Sequence, residues 1–263
     1  MRLAHLSDFH LLAPRDRPDW RLRWIAAGRP IDVEGRYRRA VRALKHAASA
    51  DVVILTGDLT ETGSTAQFGA FAGALEESGI DPDQVVLLPG NHDRYGIEDG
   101  WERALDGPLA RFRHAARVDG GVFLARGGLR LTALDVTRWQ GFIRSTGFFT
   151  ASVQRHLTVS LRRVDDEKRH AVVALHHPPQ RHPVPAWHWV NGLDGTDGLY
   201  ATLGARPRSL LHGHIHRDRR QRWGPHHVHA VPAVVMPSAE APVTFHDVAP
   251  DGEIARVETV THA

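Results

Sequence analysis

Short apolar runs, often β-branched, recur along the chain, and helical patterns fall between them. Residues 2–7 read as a short buried strand. Residues 34–49 repeat apolar positions through Tyr37, Val41 and Leu44, with Arg and Lys on the other face, which marks an amphipathic helix. Residues 52–56 (VVILT) are apolar almost throughout, as in a strand covered on both faces. Ser64 reads as the N-cap of a helix that runs to about Ser78, where Gly79 stops it. Residues 85–89 (VVLLP) form another strand and end in a Pro-Gly-Asn turn. The succession β-α-β-α-β implies a parallel sheet with right-handed crossovers.

The second half repeats the theme more loosely. Leu129–Asp135 reads as a strand, Thr150 as the cap of a helix to about Arg163, and 171–175 (AVVAL) as a strand. Asp194–Leu203 reads as a helix and Ser209–His212 as a strand. Runs at 226–231, 242–248 and 254–260, separated by Pro and Gly, read as antiparallel strands that finish a second sheet. Two stretches fit neither period. Residues 12–32 carry Trp20 and Trp24 among arginines, and 178–193 carry Trp187 and Trp189 among prolines. Such stretches overhang the carboxyl ends of strands, where α/β proteins place ligands.

Composition narrows the classes. With 263 residues, a single domain spanning 1–263 is expected, since no linker interrupts the pattern. A net charge of +3, from 33 Lys+Arg against 30 Asp+Glu, does not by itself argue for nucleic acid and is mildly favourable to an anionic substrate. No apolar run approaches a membrane span, and the opening residues do not read as a signal peptide, so a cytoplasmic location is expected. Cysteine is absent, which excludes disulfides and thiolate metal sites, whereas 19 histidines are present. Any metal site is therefore built from nitrogen and oxygen donors.

Those donors cluster after the strand-like runs. Asp8-x-His10 follows the first. Gly57-Asp58, Gly90-Asn91-His92-Asp93, His176-His177-Pro178 and Gly213-His214-Ile215-His216 follow four others. Each fragment alone has a plain structural reading as a turn or a solvated loop. Together, in this order, they put carboxylate, amide and imidazole donors on one rim. A two-metal hydrolytic site needs such hard donors and a carboxylate shared by both ions. Two divalent cations, the carboxylates of Asp8 and Asp58 and a bridging hydroxide sum to about +1, a surplus that attracts a phosphate ester. Asp93, beside His92, either orients that imidazole or caps the turn.

This motif series resembles the calcineurin-like metallophosphoesterase superfamily over residues 1 to about 220, and within it the small bacterial class III cyclic-nucleotide-type phosphodiesterases. The resemblance implies a four-layer α/β/β/α sandwich with two mixed sheets flanked by helices. It implies two divalent ions (Mn, Fe, Zn or Co), with Asp8, His10 and His216 on one, Asn91, His176 and His214 on the other, and Asp58 between them. It makes His92 the proton donor to the leaving oxygen and His177 a residue of the rim or one that supports the ligands from behind. The expected activity is hydrolysis of a small phosphoester, a diester rather than a monoester, by metal-bound hydroxide. The alternatives are a nuclease or lipid-precursor pyrophosphatase of the same fold, and a scaffold that binds without catalysis. Nucleic acid is not the favoured partner, and a homo-oligomer is compatible. Thr60, Glu61 and His212 are expected either to support the site from behind or to face solvent, not to act in catalysis, and His226, His227 and His229 are expected to be exposed.

Overall fold

The computed structural model describes residues 1–13, 32–96, 99–114, 121–140, 144–235 and 241–262. Most of 12–32, with Trp20 and Trp24, therefore lies outside the described residues. The first half runs β1 (Arg2–Leu6), α1 (Val33–Ala47), β2 (Val52–Thr56), α2 (Thr65–Ser78), β3 (Val85–Leu88), α3 (Gly100–Asp106) and β4 (Arg113–His114). The second half runs β5 (Gly121–Arg126), β6 (Leu129–Leu134), β7 (Gly147–Phe148), α4 (Ala151–Asp166), β8 (Val172–Ala174), α5 (Pro185–Asn191), β9 (Leu193–Asp194), α6 (Thr196–Leu203), β10 (Ser209–His212), β11 (Arg219–Trp223) and β12 (His226–Ala230). The chain ends in β13 (Ala241–Val248) and β14 (Ile254–His262).

The helix boundaries follow from their caps. The Asp32 side chain accepts from Gly35 N, Ser64 from Gln67 N and Thr150 from Val153 N, so each satisfies an orphan amide of a first turn. Gly79 ends α2 at φ 71°, a left-handed conformation that favours glycine.

Alternation along the strands builds four layers. Ala4 and Leu6 of β1, Val53 and Leu55 of β2, and Val85 and Leu87 of β3 pack on α1, α2 and α3 through Leu44, Phe68, Phe71 and Trp101. The intervening Leu3, Val52, Ile54, Val86 and Leu88 meet Leu131, Ala133, Val172, Ala174 and Leu211 of the second sheet. The outer face of that sheet, with Val173, Leu210 and Val228, packs on Leu157 and Leu161 of α4 and Leu199 and Leu203 of α6. Strands buried on both faces must read as unbroken apolar runs, which is how VVILT and AVVAL appear in the sequence.

Strands β1, β2 and β3 are parallel neighbours in one six-stranded sheet, and β6, β8 and β10 in the other. The tail departs from expectation. β12 does join the second sheet, parallel to β10 and antiparallel to the edge strand β11. β13 and β14 instead extend the first sheet, with β13 antiparallel to β1. The physical reason is the free edge of β1: its residues Leu3–Leu6 are buried, and an unpaired buried edge would leave backbone groups without partners. Alternation fixes which face of a strand is buried but not which strand lies beside it.

A second departure concerns histidine. His226 is fully buried and His229 nearly so, against the expectation of exposure, while His227 is half-buried. His5 of β1 shares the inward face of Leu3, lies 5.7 Å from His246, and His246 lies 5.5 Å from His229 of the facing sheet, ring centre to ring centre. Three imidazoles thus bridge the sheets. Both nitrogens of His246 and Nδ1 of His5 and His229 lack a hydrogen-bond partner among the described residues. Burial first, then the charges of His229 and Arg220, pulls His246 down to about 3. Burial, His227 and Arg220 pull His229 down to about 4, against the opposing pull of Asp218. Unfolded, such a group titrates near 6.5. The unfolded chain therefore binds protons that the folded chain refuses. Stability is complete above about pH 6.5 and falls as pH drops toward the folded values. Each of the two groups is expected to remove about 2 kcal/mol between pH 7 and pH 5. Chemical denaturation across that window measures the loss, and His246→Leu should flatten the acid slope by about one proton. An unaltered slope in that variant would exclude the inter-sheet histidines as its source.

Candidate metal centre

The candidate residues leave the carboxyl ends of five parallel strands. Asp8 and His10 follow β1, Asp58 follows β2, Asn91 follows β3, His176 follows β8, and His214 and His216 follow β10. Both sheets therefore contribute to one rim.

The turns that carry them are strained. Among the described residues, six that are not glycine have positive φ: Asp8 (59°), His10 (47°), Asp58 (51°), Lys168 (53°), His214 (67°) and His216 (55°). Five of these six are candidate ligands. The left-handed region costs a residue with a Cβ free energy, and it persists where surrounding contacts over-determine it, as functional sites do. The contacts are backbone hydrogen bonds between loops: Asp8 N donates to Gly57 O at 3.0 Å, and His10 N to Asp58 O at 2.9 Å. A left-handed residue turns the chain sharply, so Asp8 and His10 aim at one point although they are two residues apart.

The seven side chains form one continuous series. His216 Nε2 lies 3.2 Å from Asp8 Oδ1 and 3.2 Å from His10 Nε2. His10 Nε2 lies 3.6 Å from Asp58 Oδ2, and Asp58 Oδ1 lies 3.4 Å from His176 Nε2. His176 Nε2 in turn lies 3.1 Å from Asn91 Oδ1 and 3.3 Å from His214 Nδ1. Among the described residues three groups with metal-ligand spacing emerge, Asp8–His10–His216, Asp58–His176–His214 and His10–Glu61–His92; Asp58 belongs to the second and contacts His10 of the other two. Asp8, Asp58, Asn91, His10 and His176 are buried, whereas His214 and His216 are partly open to solvent.

Neighbouring groups fix which atoms point inward. His176 Nδ1 donates to the Thr56 carbonyl at 2.6 Å, which leaves Nε2 for the centre. Asn91 Nδ2 donates to the Tyr95 hydroxyl at 2.8 Å, which turns Oδ1 inward. Asp8 Oδ2 accepts from His214 N at 3.0 Å, while the buried Oδ1 makes no hydrogen bond among the described residues. A buried carboxylate oxygen left in this way, ringed by imidazole nitrogens, suits a cation.

The electrostatics agree. Burial pushes the Asp8 carboxyl up, but the His216 imidazole, 3.2 Å from Oδ1, overcomes it and holds Asp8 at about 2. Burial likewise opposes ionisation of Asp58, yet His176 and His92 hold it well below the carboxylate range. Burial lowers His176, but Asp58 outweighs it and raises the group to about 9. His10 is depressed to about 4 by burial and by the charge of His92. The two carboxylates thus draw positive charge to themselves, which divalent cations would supply in place of protons.

His92 and Asp93 have different surroundings. His92 N donates to Asp58 Oδ1 at 2.9 Å, and His92 Nδ1 donates to the Glu61 carbonyl at 2.8 Å. Asp93 makes no hydrogen bond to His92. Its carboxylate accepts from Leu59 N, Thr60 N, the Thr60 hydroxyl and Gly90 N at 2.8–3.1 Å. Asp93 therefore ties the loop after β2 to the loop after β3, and the Glu61 carbonyl orients His92 in its place. The reason is reach: Asp93 is buried beneath the turn while His92 lies at its partly open surface. Burial and the charge of Asp58 raise Asp93 to about 6 against these donors.

Two participants gave no signal in the sequence. Arg36 of α1 donates to the His10 carbonyl at 2.9 Å and pairs with Glu61. Tyr95 holds Asn91, and its ring lies 4.6 Å from that of His92. Tyr95 caps the 3-10 turn His92–Arg94, four residues after Asn91. Arg36 is brought in by α1 packing alone. His177 is buried, with Nε2 donating to the Ser145 carbonyl at 2.7 Å.

The fold and the rim define a metallophosphoesterase. The calcineurin-like phosphoesterase model matches residues 1–218, and the chain belongs to that family. Among curated relatives, the chain is 24% identical over 247 residues to the 3',5'-cyclic adenosine monophosphate phosphodiesterase CpdA of Escherichia coli (strain K12), covering 90% of this chain and 77% of the relative. A dimetal phosphatase from Danio rerio shares the fold over 100% of this chain and 99% of its own, with a TM-score of 0.67 at 12% identity. The purple acid phosphatase PPD1 of yellow lupin (Lupinus luteus) shares it over 99% of this chain and 53% of its own, with a TM-score of 0.56 at 14% identity.

Proposed function

We propose that this chain hydrolyses a small phosphodiester with two divalent cations held by Asp8, His10, Asp58, Asn91, His176, His214 and His216. The observation that carries the proposal is the unbroken series of contacts from His216 through Asp58 to His214. Two cations bound there would polarise the phosphoryl oxygens and acidify water. The donor set contains two carboxylates and no more, so a dinuclear centre keeps a small positive surplus. That surplus favours an anionic phosphoester. The name of the E. coli relative points to a diester.

The protein's own groups have distinct tasks. Asp58, a member of the second triad and in contact with the first, holds them in register. His92 delivers a proton to the leaving oxygen. Its Nδ1–H is engaged by the Glu61 carbonyl, so Nε2 carries the transferable proton. Asp93 acts on the loops and not on the imidazole.

The deciding experiment adds Mn, Fe, Zn or Co back to metal-free protein and assays a panel of phosphomono- and phosphodiesters. Diester turnover restored by one of these ions, above monoester turnover, is expected; a consistent monoester preference overturns the reading. His92→Ala is expected to lower turnover about 10²-fold for a diester with an alkoxide leaving group and only a few-fold for a p-nitrophenyl diester. Equal losses on the two esters would remove His92 from the acid role.

A further inference from the structure

A cavity of about 530 Å³ opens directly beside the candidate centre and is lined in part by His214 and Ile215. Of its other lining residues, only Pro178 belongs to a motif of the rim. One wall is β11, whose alternation places Arg219, Gln221 and Trp223 on the cavity side. The facing wall is the 178–193 stretch, which contributes Gln180 and, from α5, Trp187.

These walls combine aromatic faces with fixed polar edges. Trp223 is braced by the Tyr200 ring at 4.9 Å and the His226 ring at 6.4 Å. Gln221 and Gln180 hydrogen-bond to each other through their amides, and Gln180 Nε2 donates to the Arg222 carbonyl at 3.2 Å. Arg219 has no ion-pair partner among the described residues. Trp187 is different: it is 58% exposed, on a helix without a buried residue. An indole costs free energy when left in water, and this one stands at the mouth of a cavity beside the candidate site. Indole faces with amide and guanidinium edges suit a flat, hydrogen-bonding ring, which stacks on the first and is read at its rim by the second.

Resting on the diesterase reading above, we propose that this cavity binds one ester arm of the substrate, that the arm is a planar heteroaromatic group, and that Trp187 and the β11 face select it. A flexible aliphatic arm would gain little from these walls, because it offers neither a face to stack nor edges to pair.

The test compares two diesters with the same leaving group, thymidine 5'-(p-nitrophenyl) phosphate and methyl p-nitrophenyl phosphate, using metal-loaded protein. Wild type should favour the thymidine ester at least about tenfold in kcat/KM, within the range that stacking supplies. Trp187→Ala should cut that preference to about threefold or less through the thymidine ester alone, and Trp187→Phe should keep most of it. Trp187 is largely exposed, so its loss does not threaten folding. Quenching of tryptophan fluorescence in metal-free protein by thymidine 5'-phosphate methyl ester gives an independent readout, expected to weaken about tenfold in Trp187→Ala. An equal rate on both esters in wild type, or a preference that survives in Trp187→Ala, overturns the cavity assignment. Absence of all diester turnover overturns the reading of the centre instead, and the fluorescence titration then decides the cavity by itself.

Discussion

Replacing Asp58 with alanine is expected to lower phosphoester turnover at least about 10³-fold, roughly 4 kcal/mol of lost transition-state stabilisation. The size of the loss follows from the position of this carboxylate. Its Oδ2 faces His10 at 3.6 Å and its Oδ1 faces His176 at 3.4 Å, so one triad loses a member and the other its contact to it at once. The backbone amide of His92 also donates to Oδ1, so the proposed acid loses its anchor together with the cations. His214 belongs to the second triad and Asn91 contacts that triad through His176, so neither can replace Asp58. Folding should survive, because Asp93 still ties the two loops and its bonds do not involve Asp58. Asp58→Asn keeps an acceptor for His92 N with half the function removed, and should fall between the two. Bound metal, counted by elemental analysis, should drop below one ion per chain in Asp58→Ala. Turnover within tenfold of wild type at full metal content would take Asp58 out of the centre.

The second large effect is expected from a single methyl group. A Cβ on Gly90 would lie 2.1 Å from Asp58 Oδ1 and 2.3 Å from Asp58 N, so the backbone of one loop must give way. The two loops are held this close by Asp93, which accepts from Gly90 N on one side and from Leu59 N and Thr60 N on the other. Gly90→Ala should therefore push Asp58 away from His10 and His176 and lower turnover about 10²-fold, since sites of this kind tolerate only about 0.5 Å of displacement. The crowding should also cost about 2 kcal/mol of stability. Gly69 of α2 is the contrast. A Cβ there meets nothing within 4 Å, so Gly69→Ala should stabilise by about 0.5–1 kcal/mol with turnover unchanged. Denaturation midpoints and initial rates for the pair separate crowding at the centre from the general effect of added side chains. Full activity in Gly90→Ala would show that the loops can part without disturbing Asp58.

Much of this was legible because it is local. The apolar run 52–56, the Ser64 cap and the Gly79 stop each depend on the geometry of a few residues, and the structure forms them where the pattern places them. The candidate ligands were legible for a related reason. Each follows its strand by a fixed short distance, and parallel strands with right-handed crossovers bring their carboxyl ends to one side. The order of motifs along the chain is thus also a statement about space.

What escaped the sequence depends on distant segments meeting. Asp93 is next to His92 in the chain and Glu61 lies 31 residues before it, and only the packed loops show that the Glu61 carbonyl holds the imidazole while Asp93 is occupied below. The histidines of β12 read as surface residues until β12 is seen against β13, where His229 meets His246. Strand periodicity determined the layers, the turn chemistry and the donors at the strand ends, because these are set by backbone steps of two or three residues. Tertiary structure alone decided that the tail completes the first sheet, that Arg36 braces the first triad, and that Trp187 faces β11. Those outcomes turn on which buried surfaces and unpaired edges remain to be covered, and no short stretch of chain contains that information.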